Sequence, residues 1–102
     1  MALLRVLYLG DIMAKPGRLL VTQELPALRD KLKPDLVIAQ AENVTHGKGM
    51  NAAHMRDLQT IGIDVFTGGN HTIEQPSIRP LLASADAPVL APMNQPLSLI
   101  HI

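Results

Sequence analysis

Apolar residues fall into short runs separated by polar, glycine- and proline-containing breaks, and the spacing within each run predicts an element. Leu3-Leu4-Arg5-Val6-Leu7-Tyr8-Leu9 is nearly continuous in apolar character and closes on Gly10-Asp11, which predicts a first strand buried on both faces. Beyond Lys15-Pro16-Gly17, residues Leu19, Leu20, Leu25, Leu28 and Leu32 recur at roughly helical spacing, with Glu24, Arg29, Asp30 and Lys31 opposite. This predicts an amphipathic helix kinked at Pro26. Pro34-Asp35 introduces a second strand, Leu36-Val37-Ile38-Ala39. Asn51 suits the N-cap of a helix carrying Ala52, Met55, Leu58 and Gln59, and Gly62 suits its end. Ile63 to Thr67 reads as a third strand, Gly68-Gly69-Asn70-His71 as a turn, Ser77 to Ala85 as a short helix disturbed by Pro80, and Val89-Leu90-Ala91 as a fourth strand. Strands alternating with helices imply an α/β fold with right-handed crossovers and a mainly parallel sheet.

Composition narrows the function. The 102 residues suffice for one compact domain, and 47% apolar against 18% charged is the balance of a core former. Nine basic and nine acidic side chains cancel, and Tyr8 and Phe66 are the only aromatics. There is therefore neither the basic footprint nor the stacking platform that long nucleic acids require. Cysteine is absent, so any metal must be held by oxygen and nitrogen. The run from Leu3 to Leu9 is too short to span a bilayer and lacks a small-residue cleavage site, so a cytoplasmic location with no membrane partner is expected.

In open parallel α/β sheets, ligands bind beyond the carboxyl ends of the strands. Asp11 follows the first strand, Glu42 and Asn43 follow the second, and Asn70 and His71 follow the third. Taken singly, Gly10-Asp11 reads equally as a turn with a helix cap, Glu42-Asn43 as solvated loop polarity, and Asn70-His71 as turn chemistry. Their convergence favours a site. Two carboxylates, two amides and an imidazole form a mixed oxygen and nitrogen set suited to manganese, iron or zinc. Two such ions a few ångströms apart can grip a phosphoryl group and generate a hydroxide for in-line attack. The reaction class this suggests is metal-assisted phosphoester hydrolysis, with His71, which can titrate near neutral pH, beside a candidate ligand.

Three segments carry a resemblance. Gly10-Asp11-Ile12 with Lys15-Pro16-Gly17-Arg18, Ala41-Glu42-Asn43 with Gly47 and Gly49-Met50, and Gly69-Asn70-His71-Thr72 closely resemble the YmdB-like branch of the calcineurin-like metallophosphoesterases. The likeness runs from about Leu4 to Asn94, with the motifs in the same order. It implies the amino-terminal βαβαβ portion of a four-layer α/β/β/α sandwich, in bacterial enzymes that hydrolyse cyclic nucleotides, 2′,3′-cyclic ones among them and 3′,5′-cyclic ones as a further candidate. It further implies two divalent or mixed-valence metal ions, iron or manganese first and zinc or magnesium as alternatives. By the same resemblance Asp11 and Asn43 bind one ion, Glu42 bridges both, Asn70 binds the other, and His71 is the catalytic general acid. A small cyclic nucleotide and further copies of the chain, as a homo-oligomer, are the expected partners.

The departures also predict something. Ala14 stands where the family usually has glycine, and His46 where a small residue is common; neither is expected to touch a ligand. The family's remaining ligands are histidines farther along, and His101 has no second histidine two residues away. Residues 1–102 are thus expected to be a partial domain with weak or single-site metal binding and little turnover, and 97–102 to be a non-native tail. Gly47-Lys48-Gly49-Met50-Asn51-Ala52 matches G-x-G-x-x-A, but the glycines begin seven residues beyond Gln40 and no acid closes the third strand, which argues against a dinucleotide fold. Lys15, Arg18 and Lys48 could neutralise phosphate near the crevice, and His54 reads as a surface or partly buried residue. The non-enzymatic alternatives are a nucleotide-binding α/β module and a segment that pairs its apolar surface with another copy.

Overall fold

The computed structural model describes residues 3–69, 75–82 and 88–90. Four strands, β1 (Val6–Leu9), β2 (Leu36–Gln40), β3 (Val65–Thr67) and β4 (Val89–Leu90), form one sheet in the order β1-β2-β3-β4, and every neighbouring pair is parallel. Helix α1 (Ala14–Leu32) joins β1 to β2, α2 (Ala52–Thr60) joins β2 to β3, and a 3-10 turn (Pro76–Ile78) running into α3 (Arg79–Leu82) precedes β4. The alternating α/β order expected from the sequence is therefore the order found. The predicted continuations at Ala83 to Ala85 and at Ala91 lie outside the described residues.

Strand order explains the layering. Each strand is added beside its predecessor in the same direction, so right-handed crossovers carry all the connecting helices to one side of the sheet. Leu7 and Leu9 on β1 point to that side, in register with Val37 and Ala39 on β2, then Phe66 on β3 and Val89 on β4. Against this row pack Leu25 of α1, Met55 and Leu58 of α2 and Ile78 of the 3-10 turn. The opposite face consists of Val6, Tyr8, Leu36, Ile38, Gln40, Val65, Thr67 and Leu90, and no helix among the described residues covers it.

Two expectations are corrected here. The first strand is not buried on both faces: it is the sheet edge, and Val6 and Tyr8 on the uncovered face are 49% and 56% exposed. Helix α1 begins at Ala14, before Lys15-Pro16-Gly17 rather than after it. Proline is tolerated in a first turn because the N–H it lacks there has no intrahelical acceptor. The helix also runs on through Pro26, which lies on its exposed side. At its end Lys33 takes φ 49° and returns its N–H to the Arg29 carbonyl.

Candidate metal centre

The carboxyl ends of β1 and β2 lie side by side, because Leu9 is in register with Ala39. The two exit loops are then tied together: the Ile12 N–H donates to the Gln40 carbonyl at 3.3 Å and the Ala14 N–H to the Asn43 carbonyl at 2.8 Å. This brings Asp11 against Asn43, whose Nδ2 donates to both Asp11 carboxylate oxygens at 3.0 and 3.1 Å. Turning that amide by 180° would present its oxygen beside the carboxylate instead, an arrangement suited to a shared cation.

Residues 42–49 form a closed loop. The Thr45 N–H bonds the Gly49 carbonyl at 2.7 Å, and the Gly49 N–H returns to the Glu42 carbonyl. Gly47 and Gly49 adopt φ of 75° and 78°, so the two glycines serve this loop's left-handed turns. His46, between Thr45 and Gly47, adopts φ 54°, and Ala14 adopts φ 50°. The two departures from the family pattern are thus side-chain-bearing residues in the region that favours glycine. Contrary to expectation, Ala14 bears directly on a candidate residue through its bond to Asn43.

The loop is anchored on α1 and α2. Arg18 Nη1 donates to the Val44 carbonyl at 2.5 Å, so this cation is committed to holding the loop. Thr45, 1% exposed, accepts the Asn51 N–H at 2.9 Å and lies 2.7 Å from His54 Nδ1. With the imidazole proton on Nε2 the hydroxyl donates to Nδ1, and with it on Nδ1 the hydroxyl accepts. Burial, followed by the charges of Arg18 and His46, holds His54 below its ordinary value, while Asp57 pulls the other way. The first turn of α2 is also spoken for: the Ala52 N–H bonds Ser77 Oγ at 3.0 Å and the His54 N–H bonds the Asn51 side chain at 2.8 Å. Those contacts occupy two of the N–H groups at the helix start that a pyrophosphate would use.

Glu42 sits between two supports. Gln40 Nε2 donates to Glu42 Oε1 at 3.0 Å, and Gln40 Oε1 accepts the Glu42 N–H at 3.1 Å. On its other side the carboxylate lies so close to Gly69 that a Cβ there would overlap it. Gln40 drew no attention in the sequence because it closes an apolar strand. The available signal was its place two residues before Glu42, since residues i and i+2 of extended chain share a face.

Asp11 and Asn43 are therefore in contact at two strand ends, and Glu42, next in the chain, has its carboxylate against Gln40 and Gly69, while Asn70 and His71 lie outside the described residues. Among the described residues no group of three or more His, Asp or Glu side chains is placed to hold a metal ion. The donor set present is two carboxylates and an amide, all oxygen donors once the Asn43 amide is turned, which fits a hard or borderline divalent ion. Gly69, lacking a side chain, leaves room for the Glu42 carboxylate.

The chain matches the model of the YmdB-like protein family over residues 7–100. It is 39% identical over 92 residues to a putative phosphatase/phosphodiesterase of Mycoplasma genitalium, covering 89% of this chain and 32% of that protein. It is also 39% identical over 75 residues to a 2′,3′-cyclic-nucleotide 2′-phosphodiesterase of Bacillus subtilis, covering 74% of this chain and 28% of the relative. The crystal structure of a novel phosphatase from Mycoplasma pneumoniae superposes with a TM-score of 0.84 at 35% identity, over 96% of this chain and 34% of that one. The fold and these matches define an α/β chain of a family whose named relatives are phosphatases and phosphodiesterases. The chain belongs to the YmdB-like family, and it spans about a third of the length of the relatives it matches.

Proposed function

We propose that this chain supplies the amino-terminal share of a dinuclear metal centre that hydrolyses cyclic nucleotides, 2′,3′-cyclic phosphodiesters foremost and 3′,5′-cyclic ones as a second candidate. The observation that carries the proposal is the meeting of Asp11 and Asn43 at 3.0 Å from two different strand ends, with Glu42 next in the chain. The name of the Bacillus subtilis relative supports the cyclic-nucleotide substrate. Asp11 and Asn43 would hold one ion, Glu42 would bridge to a second, and Asn70 would help hold that one. Bound there, divalent ions would polarise the phosphoryl group and lower the pKa of water. Manganese and iron suit the donors, with zinc or magnesium as alternatives. His71 would protonate the leaving oxygen as the ring opens.

Because the proposed donors come from one third of the relatives' length, the chain alone should bind metal weakly and turn over little substrate. Titration of the purified chain with Mn²⁺, followed by calorimetry, should show weak binding that Asp11→Asn abolishes. An isotherm unchanged by Asp11→Asn would refute the metal assignment. Hydrolysis of 2′,3′-cyclic AMP by the purified chain, lost on His71→Ala, would show instead that this third is sufficient for catalysis.

A further inference from the structure

Gln40 makes no contact with a substrate or ion in the scheme above, yet its whole polar end is spent on Glu42. Its amide donates to the carboxylate at 3.0 Å and accepts from the backbone N–H of the same residue at 3.1 Å. The two bonds determine the orientation of the amide, because a 180° turn would set oxygen against carboxylate and N–H against N–H. They also tie the Glu42 side chain to its own backbone through a third group, which removes rotation about the side-chain bonds between them. The Gln40 bond uses one lone pair of Oε1. With Gly69 against its other side, Glu42 has one seat.

We propose that Gln40 is a positioning residue for Glu42, fixing the carboxylate in the orientation that ion binding needs. The inference rests on Glu42 being a ligand. Hydrogen-bonded partners of ligating carboxylates act this way by holding the donor ready, and their loss costs about 10–100-fold in metal affinity.

The test uses Mn²⁺ binding to the purified chain, read by the free-ion electron paramagnetic resonance signal, for Glu42→Gln, Gln40→Met and Gln40→Asn. Gln40→Met keeps the length and removes both bonds, so affinity should fall about 10–100-fold. Gln40→Asn, one carbon shorter, can keep only one bond and should lie between. If Glu42→Gln leaves affinity unchanged, Glu42 is not a ligand and the inference falls with the reading it rests on. If Glu42→Gln weakens binding and Gln40→Met stays within twofold of wild type, the positioning role alone is wrong. A measurement on the unaltered chain guards against a variant that fails to fold. On titration with Zn²⁺, the Gln40 side-chain amide resonances should shift while those of exposed Gln23 and Gln59 do not. Unmoved Gln40 resonances at saturating Zn²⁺ would overturn the proposal.

Discussion

Gly69→Ala isolates the seat of Glu42 from every other property of the site. Gly69 is not among the residues with positive φ, so alanine is permitted by the backbone, and the nearest obstacle is the Glu42 carboxylate. A methyl carbon at position 69 would stand 2.7 Å from Oε1 and closer still to the other two carboxylate atoms. Ordinary contact begins near 3.4 Å, so the carboxylate must retreat by about 1 Å, more than a hydrogen bond tolerates without weakening. Losing the Gln40 bond, whose acceptor is a carboxylate, costs about 1.5–3 kcal/mol. For a domain of this size each kcal/mol is about 4–8 °C in Tm, so a fall of about 6–24 °C is expected in calorimetry with a chelator present. Gly10→Ala is the control, because no atom lies within 4 Å of its added carbon and its φ is not positive; it should be neutral or stabilising by about 0.4–1 kcal/mol. A Gly69→Ala protein that melts with the wild type and binds Mn²⁺ equally well would refute the reasoning.

Ala14→Gly should raise the urea midpoint: relieving a left-handed alanine returns about 1–2 kcal/mol, offset by about 0.5–1 kcal/mol of glycine entropy. A lowered midpoint would count against the assigned φ. Leu25→Ala should cost about 2–5 kcal/mol in the same assay, since Leu25 is 1% exposed, whereas Leu20→Ala, at 59% exposure, should stay within about 0.5 kcal/mol. Thr45→Val leaves the Asn51 N–H without its acceptor and should cost about 1–3 kcal/mol. The pH dependence follows from His54. Its folded value lies below the ordinary 6.5, so on acidification the unfolded chain takes up the proton first. The stability His54 contributes is whole above about pH 6.5 and is lost as pH falls from there through the lowered folded value. Urea midpoints at pH 7.5 and 5.5 should differ less in His54→Gln than in the wild type, and an equal difference would exclude His54 as a source.

What could be read from the sequence was whatever depends on neighbours along the chain. The apolar runs at Leu36–Ala39 and around Phe66 are strands because β-branched and aromatic residues cluster between breakers, and Asn51 caps α2 as its position suggests. Lys15-Pro16-Gly17 misled because proline and glycine punctuate loops as readily as they fit a first helical turn. The exposure of Val6 and Tyr8 was invisible for another reason: it follows from the order of four strands, which places every helix on one side. The meeting of Asp11 with Asn43 was legible from their places after two adjacent strands. The clasp of Gln40 and the left-handed backbone at Ala14 and His46 were not, because each depends on how two loops meet.

The one-sided sheet has a consequence for biosynthesis. Each strand pairs in parallel with the one made just before it, across a helical crossover, and parallel pairing of this kind is intrinsically slow and leaves the sheet open to aggregation while it forms. In a relative three times this length, the remaining two thirds emerges at about 5–20 residues per second. For that interval Val6, Tyr8, Ile38 and Leu90 would form an adhesive plane on a nascent chain, and on a crowded polysome the nearest match for it is the same plane on the next ribosome. Keeping such planes apart is the task a chaperone would meet once the fourth strand is made.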